Sequence, residues 1–371
     1  MSTNKQNNLK LIEKIGNEIL RDINSIKIIQ CDDEYAEIYE DRVGSNIILT
    51  DKYWNPKEMS KLNNNLEIWK FRGFRFNDYI ELLVDFNLHN LNVDSSLLLK
   101  NFYIGDVYVS VETPSFIFDT LSSRFYHDIF YEYKKYCTIS LKGINSDNYE
   151  DYLSKALFIL GTENPSYITE PFPTCYKFLG ESIIDDQYVN SQNFIAKREN
   201  NPLIKFSFKD MKYAEPIAFF NEGKRLRDSE GAFLYFYKVL EYFFFICRKE
   251  DIKVKIDEYN IDKNLDNFLQ YVNDKLRIRE LEQLHFLINL NWEIINPMLK
   301  NSEFFNRDII ENSKNFSKEL YNYRNQLIHG KSELNYIRKT PKNLGASKEE
   351  EWWNTITEKI ANIIIRKYCF L

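Results

Sequence analysis

Apolar positions along the chain change their period close to residue 205. From Tyr35 to Leu179, short runs of β-branched and aromatic residues alternate with Asn, Asp and Gly clusters, as strands joined by turns do. The clearest are SNIILTD (Ser45 to Asp51), DVYVSVETPSFIFDTL (Asp106 to Leu121) and KYCTISLKGI (Lys135 to Ile144). In the second, Val107, Val109 and Val111 alternate with Tyr108 and Ser110, a period of two that suits a half-buried strand. Helical spacing interrupts these runs at Asn7 to Asn24 and Asn148 to Leu160. The pattern predicts an α+β domain over residues 1–205.

From Lys209 onward the period is helical. Tyr213 to Arg227 predicts one helix, and Glu230 to Lys249 a longer one, apolar on most sides as the central helix of a bundle would be. Ile278 to Ile295, Arg307 to Ile328 and Lys348 to Tyr368 follow. In the fourth of these, Ile309, Phe316, Leu320, Tyr323 and Leu327 recur at spacings of seven, four, three and four. Such spacing turns one face inward. Gly330 stands where a helix C′ residue is wanted. Residues 206–371 are therefore expected to form an all-α bundle.

Composition narrows the function classes. With 371 residues, 28 Phe and 25 Tyr, the chain has ample apolar surface to bury, which excludes global disorder. No run approaches the ~18 apolar residues of a membrane span. The N-terminal stretch is polar and then amphipathic, unlike a signal peptide. Cys31, Cys137, Cys175, Cys247 and Cys369 are scattered without a CxxC, and there are only four histidines. Neither a disulfide framework nor a zinc finger is supported, and a cytoplasmic protein is expected. There is no P-loop, because GKRLRDS at Gly223 lacks the upstream glycine and the Ser/Thr after lysine. No GxSxG, HExxH or Rossmann fingerprint occurs. Asp32-Asp33-Glu34 and Asp185-Asp186 have the character of solvated turns, and His89 and His127-Asp128 have no spaced partners. Neither a metal nor a cofactor is expected.

Charge divides with the period. Residues 1–210 carry 23 basic and 31 acidic side chains (net −8), and residues 211–371 carry 26 and 24 (net +2). Residues 300–348 hold ten basic against five acidic groups, either a solvated helix face or a surface for a polyanion. That cluster surrounds YNYRNQLIHG, Tyr321 to Gly330, in which Arg324 and Asn325 precede His329. These residue types suit RNA cleavage without a metal. A base must take the ribose 2′ proton, an acid must protonate the leaving oxygen, and positive charge must meet the phosphorane between them. Histidine, with a pKa of about 6.5, serves the proton transfers. Arginine's planar fork meets two phosphate oxygens. Asn325, four before His329, shares its helix face and can orient the imidazole or a phosphate. Arg324 and His329 are roughly 140° apart on a regular helix. One helix therefore does not aim both at one point, whereas a two-fold dimer apposing two such helices does. The other reading is a histidine capping a carbonyl and an arginine in a surface ion pair. Glu241, the one acid within Ala232 to Cys247, is either a partner for Arg324 or the polar edge of its helix.

RNQLIHG, late in a helical bundle, resembles the R-x4-H signature of the HEPN superfamily, with Asn in its usual place after Arg. AFLYFYKVLEYFFFICRK is similar to an early helix of the Apea-like HEPN branch, where an aromatic-rich run leads into a Leu-Glu pair, here Leu240-Glu241. The resemblance covers about residues 210–371. It implies a HEPN-like bundle that dimerises around the motif, and a metal-independent endoribonuclease of phage defence (abortive infection) or a toxin. Arg324, Asn325 and His329 would be its catalytic set, with Glu241 and Lys331 in support. Lys331 stands where HEPN toxins silenced by a nucleotidyltransferase carry Tyr, so control by tyrosine modification is not expected. The expected partners are an RNA substrate and a second copy of the chain. The acidic first domain is expected to sense a phage-derived or protein trigger rather than bind nucleic acid. The alternative is a non-catalytic HEPN scaffold that binds RNA or a partner protein.

Overall fold

Strands dominate the first half of the chain and helices the second, and the chain divides into two compact units, Met1–Asp210 and Met211–Leu371. The computed structural model describes residues 26–31, 35–50, 56–69, 73–85, 101–112, 114–125, 137–145, 149–163, 174–175, 206–208, 211–226, 228–276, 279–300, 312–328 and 347–370. The expected helix at Asn7 to Asn24, both acidic clusters, His89, His127-Asp128, Ile309, His329, Gly330 and Lys331 lie outside the described residues.

In the first unit, β1 (Ile26–Cys31), β2 (Tyr35–Glu40) and β3 (Ser45–Thr50) form an antiparallel sheet in that order. A larger sheet contains β4 (Leu66–Trp69), β5 (Gly73–Phe76), β6 (Tyr79–Asp85), β7 (Asn101–Ile104), β8 (Val107–Glu112), β9 (Cys137–Lys142), β10 (Thr174–Cys175) and β11 (Phe206–Phe208). Its order is β11-β7-β8-β9-β6-β5-β4, with β10 beside β6, and among the described residues only the β11–β7 pairing is parallel. Among the described residues, the sheets are accompanied by α1 (Pro56–Leu62), α2 (Phe116–Phe125) and α3 (Tyr149–Glu163). Ile38, Ile47, Leu49, Met59, Phe74 and Ile117 belong to one core that joins the small sheet to α1, β5 and α2.

The run Asp106 to Leu121 is not β throughout, because the strand ends at Glu112 and α2 starts at Phe116. Pro114 lies in the break, where a strand ladder loses a donor. The helix is then started from a distance. Glu40, at the end of β2, accepts the Phe116 and Ile117 backbone N–H groups at 3.0 and 3.1 Å, and Ser115 Oγ accepts that of Phe118. These are the amide donors a helix start leaves orphaned. A second buried carboxylate lies beside the first. Glu81 accepts from Ser115 N–H, Thr138 Oγ1 and Tyr79 Oη, and Arg42 Nη2 lies 3.9 Å away.

Burial, with Glu81 nearby, pushes the Glu40 carboxyl up to about 7, although the Ile117 and Phe116 amides and Arg42 pull it down. A carboxyl raised on folding supports the fold fully below its unfolded value and loses that support as pH rises through its folded value. Hydrogen exchange of β2 and β6 amides should therefore show opening free energy falling by on the order of 3 kcal/mol between about pH 4.5 and 8. Glu40→Gln should remove the drop, and a stability that is flat or rising over that range contradicts the assignment.

The second unit is helical: α4 (Ala214–Arg225), α5 (Ser229–Asp262), α6 (Leu265–Leu276), α7 (Glu280–Asn289), α8 (Trp292–Lys300), α9 (Ser313–Ile328) and α10 (Lys348–Cys369). Asp228 caps α5 by accepting from Gly231 N–H at 2.7 Å, and Ser347 with Glu350 forms a capping box on α10. Helix α5 packs against α4, α6, α7, α9 and α10, burying Phe233, Phe236, Val239, Leu240 and Phe243. It runs 13 residues past the expected end at Lys249, and its distal turns meet α6, where Tyr259 and Phe268 rings lie 5.4 Å apart. The helix expected over Ile278 to Ile295 is two. The Asn291 amide turns back to Leu287 O at 2.7 Å, and the Asn291 carbonyl receives the Ile294 and Ile295 amides that open α8.

Helix α4 approaches α5 through Gly223, where a Cβ would sit 2.7 Å from the buried Phe236 ring. Gly223→Ala should lower stability by about 1–2 kcal/mol despite alanine's better helix propensity, because the ring has no room to yield. A thermal midpoint at or above that of the wild type would show the contact to be loose.

Candidate functional site

Helix α9 buries Phe316, Leu320 and Tyr323. Tyr323 meets the Phe233 ring edge-on at 4.7 Å and stacks on Trp353 of α10 at 5.3 Å. With Tyr323 locked into the core, Arg324 comes to the rim between α9, α5 and α7, with 17% of its side chain exposed. On α5, Tyr237 and Glu241 are four residues apart and so share a face. On α7, Glu280 and Glu282 occupy the first turn, where the helix dipole favours acids, and Glu282 accepts from Arg279 N–H. Helices α7 and α9 run antiparallel. Ser313 Oγ bonds Asn289 Oδ1 at one end, and Glu280 faces Arg324 at the other.

These elements converge on one guanidinium. Arg324 Nη2 donates to Glu241 Oε1 at 3.0 Å and lies 3.6 Å from Glu280 Oε1. Nη1 donates to Asn325 Oδ1 at 3.1 Å, and the guanidinium carbon sits 5.5 Å from the Tyr237 ring centre. Tyr237 Oη donates to Glu280 Oε1 at 3.1 Å. Arg324 Nε is buried, and no described group accepts from it. Burial pushes the Glu241 carboxyl above its ordinary value, with Arg324 pulling against this and Glu280 adding to it. Burial and Glu280 hold the Tyr237 phenol well above the usual range, so it remains a donor.

Among the residues singled out by sequence, Arg324, Asn325 and Glu241 are brought together, while His329 and Lys331 lie outside the described residues. Of the two readings of Glu241, the contact is the partner of Arg324. Asn325 is 3% exposed and gives its carbonyl to Arg324. Glu280 and Tyr237 went unrecognised in the sequence. Tyr237 had a signal, its four-residue spacing from Glu241; Glu280 had none. Basic side chains at Lys314, Lys318 and Lys348 are exposed. No group of three or more His, Cys, Asp or Glu among the described residues is placed to hold a metal ion. No helix among them is long and apolar enough to cross a membrane. Neither the protein-family models nor the curated proteins nor the solved structures contain a match to this chain.

Removing the cation leaves two carboxylates facing each other. Arg324→Ala should cost about 1–2 kcal/mol at pH 7, less than a fully buried pair because a third of each carboxylate stays in water. The Glu241 carboxyl, already raised by burial, loses the cation that held it down, so the loss should shrink as pH falls towards about 5 and that carboxyl takes up a proton. Equal melting of variant and wild type at both pH values would show that the ion pair carries no weight.

Proposed function

We propose that the protein is a metal-independent endoribonuclease of the HEPN type, used in phage defence or growth arrest. The observation that carries this reading is the contact between Arg324 and Glu241. The two segments resembling HEPN helices, 83 positions apart in sequence, meet at 3.0 Å. A helical unit of net charge +2 with exposed lysines along α9 further favours a polyanionic substrate.

In this mechanism the ribose 2′ oxygen attacks phosphorus as its proton passes to a histidine. The P–O5′ bond breaks, and the leaving oxygen takes a proton from a second acid. His329 from each of two copies supplies base and acid, and Arg324 stabilises the non-bridging oxygens of the phosphorane. The dimer is part of the proposal: on a regular helix, residues spaced as Arg324 and His329 are would stand roughly 140° apart, and a second copy would complete the site. In the first unit, with net −8, we assign a sensing role towards a phage-derived or protein trigger.

Purified protein incubated with RNA in excess EDTA should cut it, leaving 2′,3′-cyclic phosphate and 5′-hydroxyl ends. His329→Ala and Arg324→Ala should each lower the rate by at least about 100-fold. In cells, toxicity of the expressed protein should vanish with His329→Ala. RNA bound equally by all versions and cut by none, with no toxicity, would instead mark a scaffold.

A further inference from the structure

We propose that Glu241 and Glu280 form an acidic clamp that withholds Arg324 from RNA phosphate in the resting protein, and that Glu280 is the side that opens. The clamp rests on the geometry of the three helices, and the identity of the excluded phosphate rests on the ribonuclease reading above.

A guanidinium grips a phosphate through two parallel N–H groups. Here Nη2 lies between two carboxylates, Nη1 is bonded to Asn325, and Nε is buried. Each edge of the fork is thus occupied or shielded from solvent. Two carboxylates around one cation also leave a formal charge of −1, so an approaching phosphate meets repulsion at the side chain that should attract it. A tie between helices needs only one acid, and the second supplies the excess negative charge.

The two sides of the clamp are unequal. Glu241 makes a hydrogen bond at 3.0 Å from the middle of α5, a helix fixed by the core around it. Glu280 stands 3.6 Å away in the first turn of α7, with Tyr237 Oη donating to the same Oε1 that faces Arg324. A displacement of that turn carries Glu280 away from Arg324 and from Tyr237 Oη together, while the Arg324–Glu241 bond, made between α9 and α5, does not depend on it. About a third of the Glu280 side chain is solvent-exposed (32%), so a phosphate can compete for the vacated side.

The test uses full-length protein and a mixed-sequence 2′-O-methyl oligoribonucleotide, which binds but cannot undergo transesterification. Affinity is measured by fluorescence anisotropy over a salt series for wild type, Glu280→Gln, Glu241→Gln and the double variant, with thermal melts as the check on folding. The double variant should bind about tenfold tighter, with a salt slope steeper by about one phosphate contact, and Glu280→Gln should give a smaller gain alone. Adding Arg324→Ala should abolish the gain. Unchanged or weaker binding by folded Glu280→Gln overturns the clamp, as does a gain that survives Arg324→Ala. The nuclease reading fails separately. Tighter binding by the variants with no cleavage of 2′-hydroxyl RNA by any version upholds the clamp and removes the enzyme. Cleavage by wild type as fast as by Glu280→Gln, at equal affinity, keeps the enzyme and removes the clamp.

Discussion

A helix that is apolar around most of its circumference must be covered around most of its circumference. Helix α5 imposes this on the second unit: its buried side chains, from Val239 through Phe243, Phe236, Leu240 and Phe233 to Tyr237, span roughly 160° of its circumference, and the half-buried Leu234, Tyr235, Tyr242 and Ile246 carry apolar surface round much of the rest. Helices α4, α7, α9 and α10 meet the demand together. The close approach at Gly223 and the stack of Tyr323 on Trp353 are the local terms on which they do so. Beyond Lys249 the apolar density of α5 falls, and Val254, Ile256 and Ile261 are exposed where the bundle no longer surrounds it.

The polar residues of α5 gain their meaning from that packing. Tyr237 and Glu241 lie where the aromatic surface ends, and the helices that cover it deliver Arg324 and Glu280 to the same rim. A guanidinium beside a tyrosine ring and two carboxylates is stabilised by geometry as much as by charge, and partial burial strengthens both. The same placement makes the group responsive. A side chain held by two competing acids at the surface edge is displaced by far less energy than one sealed in the core.

The first unit uses buried carboxylates differently. Glu40 and Glu81 have their oxygens filled by backbone amides, a threonine, a tyrosine and a nearby arginine, and together they bind β2, β6 and the start of α2 into one core. Such groups are costly to bury and more costly to leave unpaired, so they specify one arrangement of sheet and helix. The stability of that arrangement depends on pH because burial sets the carboxyl against its own donors.

Period and local chemistry determined the kind of element along much of the chain. Val107 to Val111 alternate and form a strand, and Lys348 to Tyr368 follow a helical period and form a helix ending at Cys369. Arg324 and Asn325 stand out in the sequence as residue types in a spacing, with no contact needed to mark them. The failures share one cause. Phe116 to Leu121 looked like strand until Glu40, 76 residues away, supplied the acceptor for a helix start. The Ile278 to Ile295 helix looked continuous until the Asn291 side chain turned back on Leu287. Glu280 was one acid among 55, and only the antiparallel packing of α7 on α9 set it against Arg324. A side chain's neighbours within one turn are written in its own segment. Neighbours from distant segments are chosen by which faces the core requires to be covered, and that choice exists only in the folded chain.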